Sequence, residues 1–111
     1  MATLNPDAAT ISAVLTDCIR DYATPDARMF PVFDTERGHF LVIEEGWLGK
    51  KHLYNPFVHI ELQNGAVWVQ QDFTNHGIAN DLVKAGIPHE QIVLGYRPES
   101  ERGDVVYDTQ D

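Results

Sequence analysis

The sequence predicts a single α+β domain in two layers: a four-stranded antiparallel meander sheet, an N-terminal helix, and a second helix after the last strand. An apolar stripe with helical spacing opens the chain, alternating apolar and polar residues follow, and a second helical pattern comes after them. At 111 residues the chain suits one hydrophobic core and is too short for two. The domain is expected to cover residues 1–111, with residues 98–111 as a loose acidic tail.

The first helix is predicted to begin at Asn5 and Pro6. Asn5 can cap it, and Pro6 suits the first turn because an N–H there has no partner within the helix. The apolar stripe recurs at three- and four-residue steps through Ile11, Val14, Leu15, Cys18, Ile19 and Tyr22. The helix is therefore expected to lie on the core. Cys18 is the only cysteine, so core packing is its expected role and an internal disulfide is excluded.

Four strands are predicted next, at residues 29–34, 39–45, 52–62 and 66–71. Pro31 interrupts the first, which makes it an edge strand. Asn64-Gly65 separates the last two and is the strongest short hairpin signal, because both central positions of a type I′ turn require positive φ. Counting outward from this turn pairs Gln63 with Ala66, Leu62 with Val67, Glu61 with Trp68, Ile60 with Val69, and His59 with Gln70.

This register sorts the side chains of the hairpin onto two faces. The aliphatic face, expected against the helices, consists of Val58, Ile60, Leu62, Val67 and Val69. The opposite face, a candidate interaction face, consists of Phe57, His59, Glu61, Trp68 and Gln70. Because a solvated sheet face rarely carries Phe and Trp, we expect a homodimer to cover it. The alternative is a cover within one chain, by residues 47–55 or by the tail.

The second helix is predicted over residues 76–84. Asp72, Thr74 and Asn75 are each placed to cap it, and Gly86 suits the left-handed residue that ends it. A short helical turn and an extended return follow at residues 89–93 and 94–96.

The chain is acidic, with 17 acidic against 8 basic side chains and a formal charge of −9. Because binding to nucleic acid needs Lys and Arg against phosphates, a direct DNA binder is disfavoured. The acidic tail predicts either a solvated end or a segment that docks on a basic partner. The start MATLNPDAAT lacks the basic and apolar regions of a secretory signal, so a cytoplasmic protein is expected.

Candidate catalytic residues are few. The chain contains no GxSxG, P-loop, dinucleotide glycine pattern, HExxH or paired CxxC, so an enzyme is not expected and no cofactor is predicted. His59 and Glu61 share one strand face and could bind a metal with Asp72 or His52, although a structural or interface hydrogen bond is favoured. A candidate turn or interaction loop is formed by Asp34, Thr35, Glu36 and Arg37.

Three segments resemble one known family in order and spacing: FDTERGHFLVIEEGW at residues 33–47, HIELQNGAVWVQQDFT at 59–74 and GIANDLVKAGIPHEQIVLGYRP at 77–98. They are similar to the XisI family, the fdxN element excision controlling factors of cyanobacteria. Two features depart from the family pattern. Phe73 stands where the family's turn typically has Gly, and the tail from Glu99 does not match its usual ending.

The resemblance implies an accessory role in programmed excision of a DNA element by a site-specific recombinase, with an XisH-like protein as partner. It assigns no catalytic residues. The competing hypotheses are a metal-dependent hydrolase built on His59, Glu61 and Asp72, a small-ligand-binding protein that uses His59, Glu61 and Trp68, and a DNA-contacting accessory.

Overall fold

The structure is a computed structural model that describes residues 6–102. In chain order its elements are α1 (Pro6–Tyr22), β1 (Ala27–Asp34), β2 (His39–Leu48), β3 (Lys51–Gln63), β4 (Ala66–Asp72), α2 (Ile78–Lys84), a 3₁₀ turn (His89–Gln91), β5 (Ile92–Leu94) and α3 (Glu99–Arg102). None of the helices within residues 6–102 has the length and apolar character needed to span a bilayer.

The strands form one sheet in the order β1-β2-β3-β4-β5. The first four are antiparallel neighbours, which confirms the predicted meander. A fifth strand, β5, is added in parallel to β4, with Val67 opposite Ile92 and Val69 opposite Leu94. This strand was not predicted, because its three residues are too few for an alternating pattern to distinguish a strand from an extended return.

One face of the sheet packs against α1 and α2. Ile11 and Leu15 of α1 are fully buried, and Cys18 is nearly so, as the stripe predicts. The predicted aliphatic face is confirmed, with Leu62 only partly buried, and it continues into β2. Asn5, predicted to cap α1, lies outside the described residues.

The β3–β4 turn is formed as predicted. Asn64 and Gly65 have φ of 52° and 81°, and the pairs from Gln63–Ala66 to Ile60–Val69 are confirmed. The prediction for His59 is wrong by one residue, because it lies opposite Gln71 rather than Gln70. A β-bulge at this point adds one residue to β4, and no local sequence signal marks it.

A second bulge reverses the predicted position of Phe57. Val58 lies opposite Val42 and Pro56 lies opposite Ile43, so Phe57 is the extra residue of β3. Its side chain is 8% exposed and belongs to the core, with its ring centroid 5.3 Å from that of Tyr22. The prediction that Phe57 faces outward is therefore wrong, since the bulge interrupts the strict alternation on which it rested.

The second helix begins two residues later than predicted, at Ile78. Asp72, six residues before Ile78, caps the start of this helix, because its Oδ2 accepts a hydrogen bond of 2.8 Å from the Ile78 N–H. The predicted stop is confirmed, because Gly86 has φ of 113° and the N–H of Ile87 donates to the carbonyl of Leu82 at 3.1 Å.

The predicted loose tail begins instead with the short helix α3, Glu99–Arg102. The remainder of that tail, residues 103–111, lies outside the described residues.

Candidate functional site

The outer face of the sheet, turned away from α1 and α2, carries four of the five predicted interaction residues. Alternation along β3 and β4 places His59, Glu61 and Trp68 on it, with Gln70 at the bulge beside Glu61. These four and His39 form what we call the polar patch. Phe57 does not belong to it, because its side chain lies in the core.

Glu61 is the hydrogen-bonding centre of the polar patch. Its carboxylate accepts hydrogen bonds from Nε2 of Gln63 at 2.9 Å and from Nε2 of Gln70 at 3.1 Å. The hydrogen bond from Gln63 is the main reason that the pKa of Glu61 lies below its ordinary value. Burial acts to raise this pKa, and the hydrogen bond from Gln70 lowers it further. Glu61 is therefore an ionised acceptor at neutral pH.

His39 belongs to the polar patch but was not among the residues predicted for it. The β2–β3 register places it opposite Glu61, and its Nδ1 lies 3.2 Å from Nε2 of His59. Burial and then the charge of His39 lower the pKa of His59 below the ordinary histidine value. The register of β2 against β3 would have revealed His39 beside Glu61. The turn at Leu48-Gly49-Lys50-Lys51 does not determine that register as clearly as Asn64-Gly65 determines the register of β3 against β4.

Trp68 is half-buried, and its cover comes from the C-terminal part of the described chain. The guanidinium carbon of Arg102 lies 5.4 Å from the Trp68 ring centroid. The chain also passes close by at Gly95, where an added Cβ would lie 3.2 Å from Cε3 of Trp68. Trp68 is thus covered by residues of its own chain, which was the alternative to cover by a dimer partner.

The residues proposed for a hydrolytic metal site are not brought together. Asp72 lies opposite Val58 on the inner side of the sheet and binds the start of α2. His52 lies at the other end of β3, where its Nε2 is 3.0 Å from Glu45. Within residues 6–102, no three His, Cys, Asp or Glu side chains are grouped to hold a metal ion.

The predicted loop at residues 34–37 is closed by its own hydrogen bonds. Oδ1 of Asp34 accepts from the N–H of Arg37 at 2.9 Å, and Oδ2 lies 3.1 Å from the Arg37 guanidinium. The bond from the Arg37 N–H, followed by that from its side chain, lowers the pKa of Asp34. Both carboxylate oxygens are thus engaged within the turn.

An aromatic row marks the far end of the outer face. The ring of His52 stacks on Trp47 at 4.5 Å between centroids and lies 5.9 Å from Tyr54. Glu45 fixes this row, because it contacts His52 and also accepts from Nε of Arg28 at 2.9 Å. The rings of Trp47 and Tyr54 remain largely exposed.

A groove of about 360 Å³ lies between α1 and α2 on the opposite side of the molecule. At its edge His76 contacts the Tyr22 hydroxyl at 2.9 Å and Asp81 at 2.6 Å. Cys18 lines the groove, and burial, with smaller contributions from Asp72, Asp81 and Asp21, raises the pKa of its thiol to about 11. The thiol is therefore unsuited to act as a nucleophile.

Comparison with known proteins places these features in context. A family model described as "XisI protein" matches residues 1–108. The fold is similar to the crystal structure of a XisI-like protein from Anabaena variabilis, with a TM-score of 0.83, 30% identity, and coverage of 95% of this chain and 97% of that one. It is also similar to the fdxN element excision controlling factor XisI from Anabaena variabilis, with a TM-score of 0.66, 29% identity, and coverage of 87% and 99%. A comparison with curated proteins finds no match.

Proposed function

This chain belongs to the XisI family, and we propose that it is a non-enzymatic accessory protein that controls excision of a DNA element by binding an XisH-like protein. The observation that carries the proposal is the match of the family model to residues 1–108. It is supported by the similarity to a solved protein that is named as an excision controlling factor.

The charge of the chain supports a role through protein contacts rather than DNA contacts. The formal charge is −9, and Arg20, Arg28 and Arg37 each form an ion pair with a carboxylate of the same molecule. Paired arginines contribute little to the binding of phosphates, which requires several unneutralised cations on one surface. An accessory of this charge therefore reaches DNA through another protein.

The polar patch is the surface that we assign to the partner. Trp68 and Arg102 are of the residue types that contribute most to protein interfaces, and they are stacked on each other. Glu61 beside them is ionised and held by two amide donors, so it offers a fixed acceptor to an Arg, Lys or backbone N–H of the partner.

The proposal is tested by copurification of this chain with an XisH-like protein from the same genome. The wild-type chain is expected to copurify, and W68A or E61Q is expected to weaken binding by about 10- to 100-fold. Tyr54→Ala is the matched control, since Tyr54 is an exposed aromatic residue of β3 outside the polar patch. It should bind like the wild type.

Two results would count against the proposal in different ways. A wild-type chain that shows no affinity for the XisH-like protein would overturn the choice of partner. Normal binding by both W68A and E61Q, with unchanged circular dichroism, would overturn the choice of surface.

A further inference from the structure

We propose that the outer end of the β2–β3 hairpin binds an acidic segment of another protein, one that carries an apolar side chain among its carboxylates. Strand β1 begins at Ala27, opposite Gly46, and β4 ends opposite Val58. Residues 47–52 therefore extend beyond both neighbouring strands. We call residues 47–54 the hairpin arm. It lies apart from the polar patch, so this inference does not rest on the proposed function.

The hairpin arm carries exposed apolar side chains. Trp47, Leu48 and Tyr54 are 58%, 54% and 63% exposed, and they are three of the six large apolar side chains that are exposed within residues 6–102. Large apolar side chains that cluster on a protruding hairpin indicate an interaction site, whereas isolated ones do not. Trp and Tyr are also among the residue types that contribute most to protein interfaces.

Two lysines leave positive charge at the end of the arm, in a chain whose formal charge is −9. Lys50 lies in the turn and Lys51 begins β3. Neither has an ion pair or a hydrogen bond in the part of the chain that the structure describes. By contrast, Arg20, Arg28 and Arg37 are each paired with a carboxylate of the same molecule. The arm therefore combines unneutralised cations with exposed rings.

The hydrogen-bonding groups that the arm leaves open are mainly donors. Lysine ammonium groups and the indole N–H of Trp47 can donate hydrogen bonds and cannot accept them. The carboxylate at the base of the arm, Glu45, has its two oxygens engaged by Arg28 and His52. A partner that complements the arm must therefore supply acceptors and negative charge, as Asp and Glu do. An apolar side chain beside those carboxylates would cover the Trp47 ring.

Two other anionic partners fit the arm less well. Single-stranded nucleic acid binds by stacking its bases on ring faces, but His52 and Trp47 already stack on each other at 4.5 Å between centroids. An anionic membrane spreads negative charge over a wide area, which repels a chain of charge −9 as a whole. A short acidic segment avoids this repulsion, because it contacts the arm alone.

Selection from a displayed library of short random peptides tests the proposal without assuming a sequence. The full-length wild-type chain is the bait, and Trp47→Ala is used for counter-selection. The enriched peptides are expected to have a net negative charge and an apolar residue among their carboxylates. Enrichment of neutral or basic peptides would overturn the proposal, as would a failure to enrich any peptide over the Trp47→Ala background.

Titration of an enriched peptide then locates the contact. A contact of this size predicts a dissociation constant of about 10–100 µM. Lys50→Glu should weaken binding about tenfold, whereas Arg20→Glu, the same change of charge at an arginine that is 72% exposed on α1, should not. Trp47→Ala should also weaken binding at least about tenfold. Its matched control is Tyr96→Ala, at an aromatic residue that is 48% exposed and outside the arm.

Trp68→Phe makes the readout specific, because the chain has two tryptophans and this variant keeps only Trp47. Its emission should shift on addition of the peptide, with wild-type affinity, since Trp68 belongs to the polar patch. Unchanged emission would overturn the proposal, as would wild-type affinity in folded Lys50→Glu or Trp47→Ala. So would tighter binding to phosphatidylserine vesicles or to single-stranded DNA than to any enriched peptide.

Discussion

Phe57 shows how one inserted residue decides whether an aromatic side chain faces solvent or the core. It follows Pro56 in a bulge, and its ring packs against those of Tyr22 and Phe73. Replacing it with Ala should lower the free energy of unfolding by about 3–5 kcal/mol, as for other buried phenylalanines. Urea denaturation measures this loss.

The control for Phe57 is its neighbour Phe73, which is 55% exposed. Phe73→Ala removes a ring of the same size and should cost about 1 kcal/mol or less, as surface substitutions usually do. Equal effects of the two substitutions would show that Phe57 is not a core residue.

His59 should make stability depend on pH in the weakly acidic range. Because burial and the charge of His39 lower its pKa in the folded state, the unfolded chain binds more protons below the ordinary histidine pKa of 6.5. The stability that neutral His59 provides is thus present above about pH 6.5 and is lost as the pH falls through its folded pKa. Glu61, the carboxylate nearest this pair, has its own pKa lowered from 4.5 and titrates below this window.

Thermal unfolding of the wild type and of His59→Gln measures this effect. The melting temperature of the wild type should fall between about pH 7.5 and pH 5, and His59→Gln should reduce that fall because it removes the titrating group. An identical slope in both proteins would contradict the assignment.

Among the secondary-structure elements, helix α2 is capped at its N-terminus by a carboxylate that lies outside the helix. Asp72 accepts hydrogen bonds from the N–H groups of Ile78 and Thr74, at 2.8 and 2.9 Å, and the helix has no side-chain cap at Gly77. Asp72→Ala should therefore cost about 1–2 kcal/mol, the usual effect of losing a helix cap. Asp72→Asn, which keeps one acceptor oxygen, should cost less.

Asp26→Ala is the control for this prediction, since Asp26 is an exposed carboxylate that precedes β1. Guanidinium denaturation followed by circular dichroism compares the three variants with the wild type. If Asp72→Ala unfolds at the same midpoint as the wild type, the capping role is refuted.

The sequence correctly predicted the elements whose ends are marked by a short local motif. Asn64-Gly65 fixed the β3–β4 register near the turn, and Gly86 fixed the end of α2. The two bulges depend on how whole strands fit together, so local periodicity could not place Phe57 or pair His59 correctly. For the same reason the polar patch was predicted without His39, which reaches Glu61 only through the β2–β3 register.

At the scale of the whole molecule, the acidic charge predicts weak binding to DNA by the isolated protein. With −9 overall and several arginines engaged in ion pairs, association should be detectable only at low salt. A mobility-shift titration at increasing salt tests this. Sequence-selective binding that survives about 150 mM salt would require a concentrated basic surface and would contradict the prediction.

Because Cys18 is buried, alkylation of its thiol can report the separation of α1 from the sheet. A thiol whose pKa is about 11 is ionised to only about one part in a thousand at pH 8. Although Cys18 lines the groove between α1 and α2, it is only 4% exposed, so reagents have little access to it. Alkylation should thus wait until α1 separates from the sheet and exposes an ordinary thiol, so its rate in excess reagent gives the free energy of that separation. The rate should rise in Phe57→Ala tenfold for about every 1.4 kcal/mol of lost stability, while rapid labelling of the stable wild type would show that α1 opens independently of the sheet.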